Sequence, residues 1–236
     1  MEAQAPPTLS LQTREHARAA LERAFAEAAV MPGILLPHEI LTELTDVAGL
    51  IVDEVMACDD GAFATNGATP AAYNVEHPID ATVIGLLVGR RLVPEDELEE
   101  LGTGLFLQDI GKLALPPALV HKPGPLAPAE WDLMMQHPLL GVEFLRDDSI
   151  PGMAKSVVRS HHERWDGSGY PSGLVGEEIA LFPRIAAVAD VFHAVTSERY
   201  HARARPRHWG IEMIRAGSGS AFDPAVVEAF LDVAGD

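Results

Sequence analysis

The sequence predicts an all-α protein. Apolar residues recur at helical spacing along most of the 236 residues, whereas alternating β-branched runs bounded by hairpin turns are absent from the sequence. The chain is long enough to bury a core without crosslinks, and its single cysteine, Cys58, excludes a disulfide framework. These observations favour a helical bundle preceded by a small N-terminal helical segment.

Two helices are predicted in the N-terminal part. The first extends from about Ser10 to Met31, with Ala17, Leu21 and Phe25 along one face. The second follows Pro37 and is strongly apolar. Because an apolar helix needs a surface to pack against, we interpret this part as a regulatory or dimerisation segment. It would bind a second copy of the chain or a signalling partner.

A boundary is predicted after the second helix. Residues 59–70 are rich in Asp, Gly, Asn and Pro, which is typical of a linker. We therefore expect an N-terminal helical segment with its linker at 1–70 and a main domain at 71–236.

Seven further helices are predicted in the main domain. Their approximate ranges are 75–92, 95–107, 128–145, 152–162, 181–197, 207–216 and 224–233. In the helix predicted at 128–145, Trp131 and Met134 are predicted to be core residues. Residues 165–173 are predicted to form a loop, because three glycines and a proline crowd this stretch.

Charge and hydropathy exclude several classes of partner. Seventeen basic residues against 35 acidic ones give a net charge of −18, which repels a nucleic-acid backbone. The first residues lack the basic and apolar stretches of a secretory signal, and the apolar runs are too short to span a bilayer. We therefore expect a cytoplasmic protein that binds neither nucleic acid nor membrane.

The middle of the chain contains residues suited to metal binding. With one cysteine, any metal must be held by His, Asp or Glu. Asp109 and Lys112 are three residues apart, so a carboxylate and a cation for a phosphate would point into one cavity. Adjacent histidines precede the glycine loop, and Asp190 lies in an apolar helix where a charge needs a partner. A lone histidine is more often a helix cap, and Asp190 would also be satisfied by a salt bridge. The residues alone therefore indicate a metal-dependent phosphohydrolase without specifying its substrate.

One segment resembles a known family. The run from His161 to Pro171, ending in Gly169-Tyr170-Pro171, resembles the signature of the HD-GYP family of cyclic-di-GMP phosphodiesterases. In the family's order, the chain also contains 109–112, 122–124, 137–138 and 184–192. The resemblance covers about residues 73–233 and implies a helical bundle of the HD phosphohydrolase type.

The resemblance implies a site with two divalent metal ions, iron or manganese, that hydrolyses cyclic di-GMP to pGpG or GMP in bacterial signalling. Lys112 would lie beside the scissile phosphate, and Asp109 would bridge the metals. Gly169, Tyr170 and Pro171 would flank the dinucleotide, and Arg199 would bind a phosphate. The implied metal ligands are His77, Asp109, His137, His161, His162 and Asp190.

Three positions near the implied metal ligands depart from the family pattern, and Ala202 replaces a second basic residue expected shortly after Arg199. Gln108 replaces the histidine of the HD pair, and an amide oxygen binds transition metals more weakly than imidazole does. Tyr73 stands where some members have a glutamate for a third metal, so at most two metals are expected. His193 replaces an aspartate three residues after Asp190, and Gln108 and His193 are candidate substitute ligands. The alternatives are an inactive relative that binds a cyclic dinucleotide or a signalling partner, and a hydrolase of another phosphate ester.

Overall fold

The computed structural model describes residues 9–30, 36–58, 72–146, 150–199 and 203–235. The predicted linker at 59–70 lies outside these ranges. Within them the chain forms eleven α-helices and three short 3-10 turns, with no β-strand. The prediction of an all-α fold is therefore confirmed.

The helices are numbered in chain order. They are α1 (Leu11–Val30), α2 (His38–Met56), α3 (Tyr73–Gly89), α4 (Leu98–Leu107), α5 (Pro117–Val120), α6 (Pro128–Met134), α7 (His137–Phe144), α8 (Gly152–Ser160), α9 (Leu181–Thr196), α10 (Arg207–Ala216) and α11 (Pro224–Ala234).

Helix α3 is the centre of the bundle. Its residues from Glu76 to Gly89 are all buried, because it packs against α1, α2, α4, α9 and α11. A helix that is apolar on nearly every side is stable only when it is surrounded in this way.

Helices α1 and α2 belong to the same apolar core as the rest of the chain. Helix α1 packs on α2 and α3, and α2 packs on α3 and α4. Buried side chains of both helices, among them Leu21, Leu44 and Ile51, are continuous with the core of the main bundle.

The prediction of one helix over 128–145 is wrong, because two separate helices, α6 and α7, occupy this stretch. Regular α-helical hydrogen bonding stops after Met134 and resumes in α7 at His137, although the backbone angles of Met135 and Gln136 stay in the helical region. Pro138 has no amide to donate to the carbonyl of Met134, so one continuous helix would lose a hydrogen bond and strain its backbone. This break places His137 at the first position of a new helix.

None of the described helices combines the length and apolar character that crossing a membrane requires.

Candidate metal centre

Four side chains converge between the segment after α4 and helices α7 and α8. We call them the four-ligand group, and each offers one ligand atom within 4.8 Å of all the others. One carboxylate and three imidazoles suit a divalent transition metal. The members are Asp109, His137, His161 and His162.

Asp109 lies at the centre of these residues. Its Oδ1 is 3.4 Å from His137 Nε2 and 3.8 Å from His161 Nε2. Its Oδ2 is 2.7 Å from Lys112 Nζ and 3.6 Å from His77 Nε2. The two oxygens of one carboxylate therefore face two different sets of nitrogen atoms.

Backbone carbonyls orient two histidines of the four-ligand group. Nδ1 of His137 lies 2.9 Å from the carbonyl oxygen of Met134, which Pro138 leaves without its usual helical partner. Nδ1 of His161 lies 3.1 Å from the carbonyl oxygen of Val157. Because each Nδ1 donates its proton to a carbonyl, Nε2 presents its lone pair toward Asp109.

A second set of potential ligands lies on the other side of Asp109. We define this second ligand set as His77, Asp190 and Gln108. His77 Nε2 is 3.0 Å from Asp190 Oδ1, and Gln108 Nε2 is 3.5 Å from the same His77 nitrogen. Gln108 is fully buried, and its Oε1 has no hydrogen-bond partner among the described residues. An unpaired buried amide oxygen costs free energy that a cation would recover.

His193 is not part of either set. Its ring is fully buried behind His77, and the Nδ1 atoms of the two rings are 2.8 Å apart. Its Nε2 lies 3.0 Å from Ser197 Oγ and 3.3 Å from Asp80 Oδ2. The structure therefore places both nitrogens of His193 against neighbouring side chains.

Burial sets the protonation of the four-ligand group. It lowers the pKa of His137 to about 3 and also lowers the pKa values of His161 and His162, so these rings are neutral near pH 7. Burial acts to raise the pKa of Asp109, but Lys112 and the histidines hold it well below its ordinary value. Burial also acts to raise the pKa of Asp190, but the interaction with His77 is the main cause that holds it below its ordinary value. Neutral imidazoles beside ionised carboxylates are the protonation states that metal binding requires.

A cavity opens onto these residues. It has a volume of about 170 Å³ and is lined by Lys112, His162 and Asp190 among others. A second hollow of about 780 Å³ shares Tyr170 and Arg199 with it. The metal-binding side chains are therefore accessible to a ligand.

The glycine loop forms one wall of these cavities. Tyr170 stacks on His162 with ring centroids 4.8 Å apart. A Cβ atom at Gly169 would lie 2.4 Å from the backbone nitrogen of Arg164, so only glycine permits the loop to fold back this closely. Pro171 follows Tyr170 through a cis peptide bond.

Arg199, which was predicted to bind a phosphate, lies beside Tyr73, one of the positions that depart from the family pattern. Both residues line the first cavity. The Arg199 guanidinium lies 5.7 Å from the ring centre of Tyr73. Tyr73 in turn stacks on His77 with centroids 4.9 Å apart. Burial and the charge of Asp190 raise the pKa of Tyr73, so its hydroxyl stays protonated. Arg199 therefore supplies a positive charge at the cavity edge.

The prediction that Trp131 is a core residue is wrong, because its side chain lines the cavity. It is 48% exposed, lines both cavities and meets Tyr170 edge-on at a centroid distance of 6.5 Å. Its helical spacing indicated only that it lies on a packed face. That face borders an open cavity, which periodicity does not distinguish from core.

The sequence patterns also did not predict a buried ionic cluster between α1 and α3. Arg14 of α1 is 5% exposed and pairs with Glu76 at 2.7 Å and Asp80 at 2.6 Å. Burial acts to lower the pKa of Arg14, but the two carboxylates raise it above its ordinary value. The available signal was the position of Arg14, three residues before Ala17 on the apolar face of α1.

Comparison with known proteins places the chain in a family. Residues 79–226 match the family model described as HD domain. A cyclic di-GMP phosphodiesterase of Vibrio cholerae is 42% identical over 134 residues, which is 54% of this chain and 27% of that protein. A 3'3'-cGAMP-specific phosphodiesterase of the same organism is 39% identical over 144 residues, again 27% of its length. The chain thus spans about a quarter of these relatives.

A solved structure shows the same fold. An HDG"Y"P protein from Bdellovibrio bacteriovorus superposes with a TM-score of 0.69 at 16% identity, covering 95% of this chain and 71% of that one. Together with the matched residues and the Gly169-Tyr170-Pro171 loop, these findings show that the chain belongs to the HD domain family, in its HD-GYP branch.

Proposed function

We propose that the chain is a metal-dependent phosphodiesterase that hydrolyses cyclic di-GMP to pGpG or GMP in bacterial signalling. The observation that carries this proposal is the four-ligand group beside a cavity that its members His137 and His162 line, with Lys112 Nζ 2.7 Å from Asp109 Oδ2. A cation site and a lysine at one place suit a negatively charged phosphate ester. The names of the relatives support a cyclic dinucleotide as the substrate.

The donor atoms fit two divalent cations. Asp109 Oδ1 faces His137 and His161, while Asp109 Oδ2 faces His77. This division of one carboxylate supports Asp109 as a bridging ligand. The four-ligand group would hold one ion, and the second ligand set would hold the other. Gln108 would contribute Oε1, which accepts no hydrogen bond from the part of the chain that the structure describes. Iron or manganese suits this mixture of imidazole and carboxylate.

Each cavity residue has a distinct proposed task. The cations would supply Lewis acidity and lower the pKa of an attacking water. Lys112 would neutralise charge on the phosphate, and Arg199 would bind a second phosphate oxygen. Tyr170 and Trp131 would contact the bases through their ring faces and exclude water. The glycine loop would hold Tyr170 against His162.

One observation favours a second candidate, a protein that binds a cyclic dinucleotide without hydrolysing it. Gln108 directs Nε2, a donor, to within 3.5 Å of His77 Nε2. In that orientation the amide occupies the side of His77 that a cation would need. Rotation of the amide by about 180° would present Oε1 instead, because the two amide atoms have nearly the same shape. The state of this one side chain separates the two candidates.

The test pairs metal content with turnover. Anaerobically purified wild type, Gln108→His and Asp109→Ala would be measured for bound metal and for hydrolysis of cyclic di-GMP and 3'3'-cGAMP. An exposed-histidine variant, His208→Ala, serves as the control. We expect about two ions and turnover in wild type and in the control, and neither in Asp109→Ala, since it loses the proposed bridge.

Other outcomes assign the chain differently. A wild type that binds a cyclic dinucleotide but hydrolyses neither compound, combined with gain of activity in Gln108→His, would identify the binding protein. Preference for 3'3'-cGAMP over cyclic di-GMP would retain the phosphodiesterase and replace the substrate.

A further inference from the structure

We propose that Arg14, Asp80 and His193 form a positioning chain that holds His77 as a metal ligand, so that helix α1 supports the metal centre from outside. The inference rests on the proposed metal-binding role of His77. It concerns three residues that contact neither the cavity nor the four-ligand group. None of them touches the proposed substrate, so they are positioning residues.

The positioning chain is continuous across three helices. Arg14 of α1 places Nη2 2.6 Å from Asp80 Oδ1 on α3. The other oxygen of Asp80 lies 3.3 Å from His193 Nε2 on α9. His193 Nδ1 is 2.8 Å from His77 Nδ1, back on α3. Arg14, Asp80, His193 and His77 are each no more than 5% exposed, so water does not compete for these contacts.

The order of donors along this path follows from its first member. Arg14 has donors only, so Asp80 is held as an acceptor. His193 Nε2 faces two oxygens, Ser197 Oγ at 3.0 Å and Asp80 Oδ2 at 3.3 Å. The ionised carboxylate attracts a proton and the hydroxyl oxygen is able to accept one, so both favour a proton on His193 Nε2, which leaves a lone pair on His193 Nδ1. At 2.8 Å one of the two facing Nδ1 atoms must donate, so His77 carries its proton on Nδ1. His77 Nε2 would then offer its lone pair to a cation held by Asp109 and Asp190, whose oxygens lie 3.6 and 3.0 Å from that nitrogen.

The contrast with the other histidines shows why His77 needs this support. His137 and His161 each direct Nδ1 at a backbone carbonyl within their own segment. Such a carbonyl is always an acceptor. His77 instead faces a second imidazole, which is an acceptor only in one of its two tautomers. Asp80 and Arg14 supply the missing directionality.

Charge balance explains the location of Arg14. Asp80 and Glu76 are both buried on α3, 2% and 4% exposed. Two buried carboxylates on neighbouring turns repel each other unless a cation lies between them. Arg14 contacts both, and Arg18 of α1 also pairs with Glu76. The acceptor that orients His193 is therefore maintained by a helix that precedes the residues matched to the family.

The primary test reads the tautomer of His193 directly. Long-range proton–nitrogen NMR correlations on ¹⁵N-histidine protein loaded with zinc, a diamagnetic ion, distinguish the protonated ring nitrogen of each histidine. We expect His193 to carry its proton on Nε2. A proton on Nδ1 would reverse the donor order and overturn the proposal, whatever the number of ions bound.

Variants separate positioning from general structural support. In Asp80→Asn the side chain offers a donor as well as an acceptor, so we expect His193 to populate both tautomers. The matched control is Arg23→Met. It removes an ion pair between α1 and Glu43 that is not part of the positioning chain. It should leave the His193 tautomer unchanged. An unaltered tautomer in Asp80→Asn would also contradict the inference.

Zinc titration adds a rescue experiment. His193→Leu removes the acceptor for His77 Nδ1, and we expect zinc affinity at His77 to fall about 10–100-fold, the usual effect of losing an orienting partner. His193→Asn restores an acceptor oxygen near the position of Nδ1 and should recover affinity to within about threefold. Equal affinity in wild type and His193→Leu, or a wild type whose His77 signals do not respond to zinc, would overturn the proposal.

These readouts do not depend on catalysis. A protein with the expected tautomer and zinc affinities but no hydrolysis would retain the positioning chain and refute the proposed phosphodiesterase. Hydrolysis with a reversed tautomer would do the opposite.

Discussion

At the scale of single residues, the candidate metal centre depends on which nitrogen of each imidazole carries the proton. His137 acquires its orientation from the carbonyl of Met134, and that carbonyl is free because Pro138 lacks an amide. The His137-Pro138 pair thus breaks a helix and directs a ligand at the same point. A histidine at this position without the proline would compete with a backbone amide for the same carbonyl.

The buried histidines predict a pH dependence of stability. In the unfolded chain their pKa values are near 6.5, whereas burial lowers that of His137 to about 3 and those of His161 and His193 in the same direction. Between these values the unfolded state binds more protons than the folded state. The contribution of these histidines to the free energy of unfolding is therefore fully present above about pH 6.5 and is lost as the pH falls. Calorimetry in the presence of a chelator should show a melting temperature that decreases from pH 7.5 to pH 5.

The size of that decrease is also predicted. His137, whose pKa is about 3 in the folded state, contributes a slope of the free energy of unfolding that approaches about 1.4 kcal/mol per pH unit. His137→Gln should therefore reduce this slope by the amount that corresponds to about one bound proton. The control His208→Ala, at an exposed position, should not alter the slope. A melting temperature that is flat over this range would show that the rings are charged in the folded state.

Trp131 is predicted to bind substrate. It is 48% exposed beside Tyr170, so Trp131→Ala should leave the fold intact while removing a surface on which a base stacks. Stacking on an aromatic side chain contributes about 1–3 kcal/mol, so the Kd for a cyclic dinucleotide should rise roughly tenfold. Trp209→Ala, at 41% exposure and outside the cavity walls, is the control. Equal losses in both variants would remove Trp131 from the binding surface.

At the scale of elements, the metal ligands are held by close backbone packing between the 3-10 turn at Ile110–Ala114 and α7. A Cβ atom at Gly111 would lie 1.9 Å from the carbonyl oxygen of His137 and 2.4 Å from the backbone nitrogen of Gly141. Neither atom is at the end of a flexible side chain, so the two elements would have to separate. Asp109 and His137 would move apart with them.

Gly111→Ala is therefore expected to damage both stability and metal binding. Overpacking of this kind costs about 1–3 kcal/mol or more, measured by chemical denaturation. Gly49→Ala on α2 is a matched control, because nothing lies within 4 Å of its added Cβ. It should be neutral or stabilise by about 0.5–1 kcal/mol, since alanine favours a helix. Unchanged stability in Gly111→Ala would contradict the close packing described here.

At the scale of the whole molecule, the N-terminal helices are part of the bundle core. A Cβ atom at Gly102 of α4 would lie 2.3 Å from a methyl group of Val52, which shows how closely α2 approaches α4. Helix α1 contributes Arg14 to the buried ionic cluster on α3. The proposed regulatory or dimerisation role of residues 1–70 would therefore act on helices that also complete the core.

A chain that begins at Ala71 is expected not to fold stably. It would expose apolar side chains of α3 and α4 now covered by α1 and α2, each worth about 1.5–3 kcal/mol when buried, against a total stability of about 5–15 kcal/mol for a typical domain. Circular dichroism and size-exclusion chromatography should show loss of cooperative unfolding or aggregation. Cooperative melting near the wild-type temperature would instead establish residues 71–236 as an independent domain.

The sequence alone determined the fold class, most helix limits and the family. These follow from local patterns, since helical periodicity extends over α1, α2 and α9, and the Gly169-Tyr170-Pro171 loop is contiguous in the chain. It also supplied the candidate ligands, because their residue types and order resemble the family. What it proposed about their roles stays a prediction until metal and turnover are measured.

Only the tertiary structure decided how those residues are arranged in space. Nothing local indicates that Arg14 would meet Asp80, 66 residues later, or that His193 would lie behind His77 rather than beside Asp109. Helical spacing also could not tell that Trp131 borders a cavity instead of core. Periodicity reports which face of a helix is covered, and only the packing of the other helices determines what covers it.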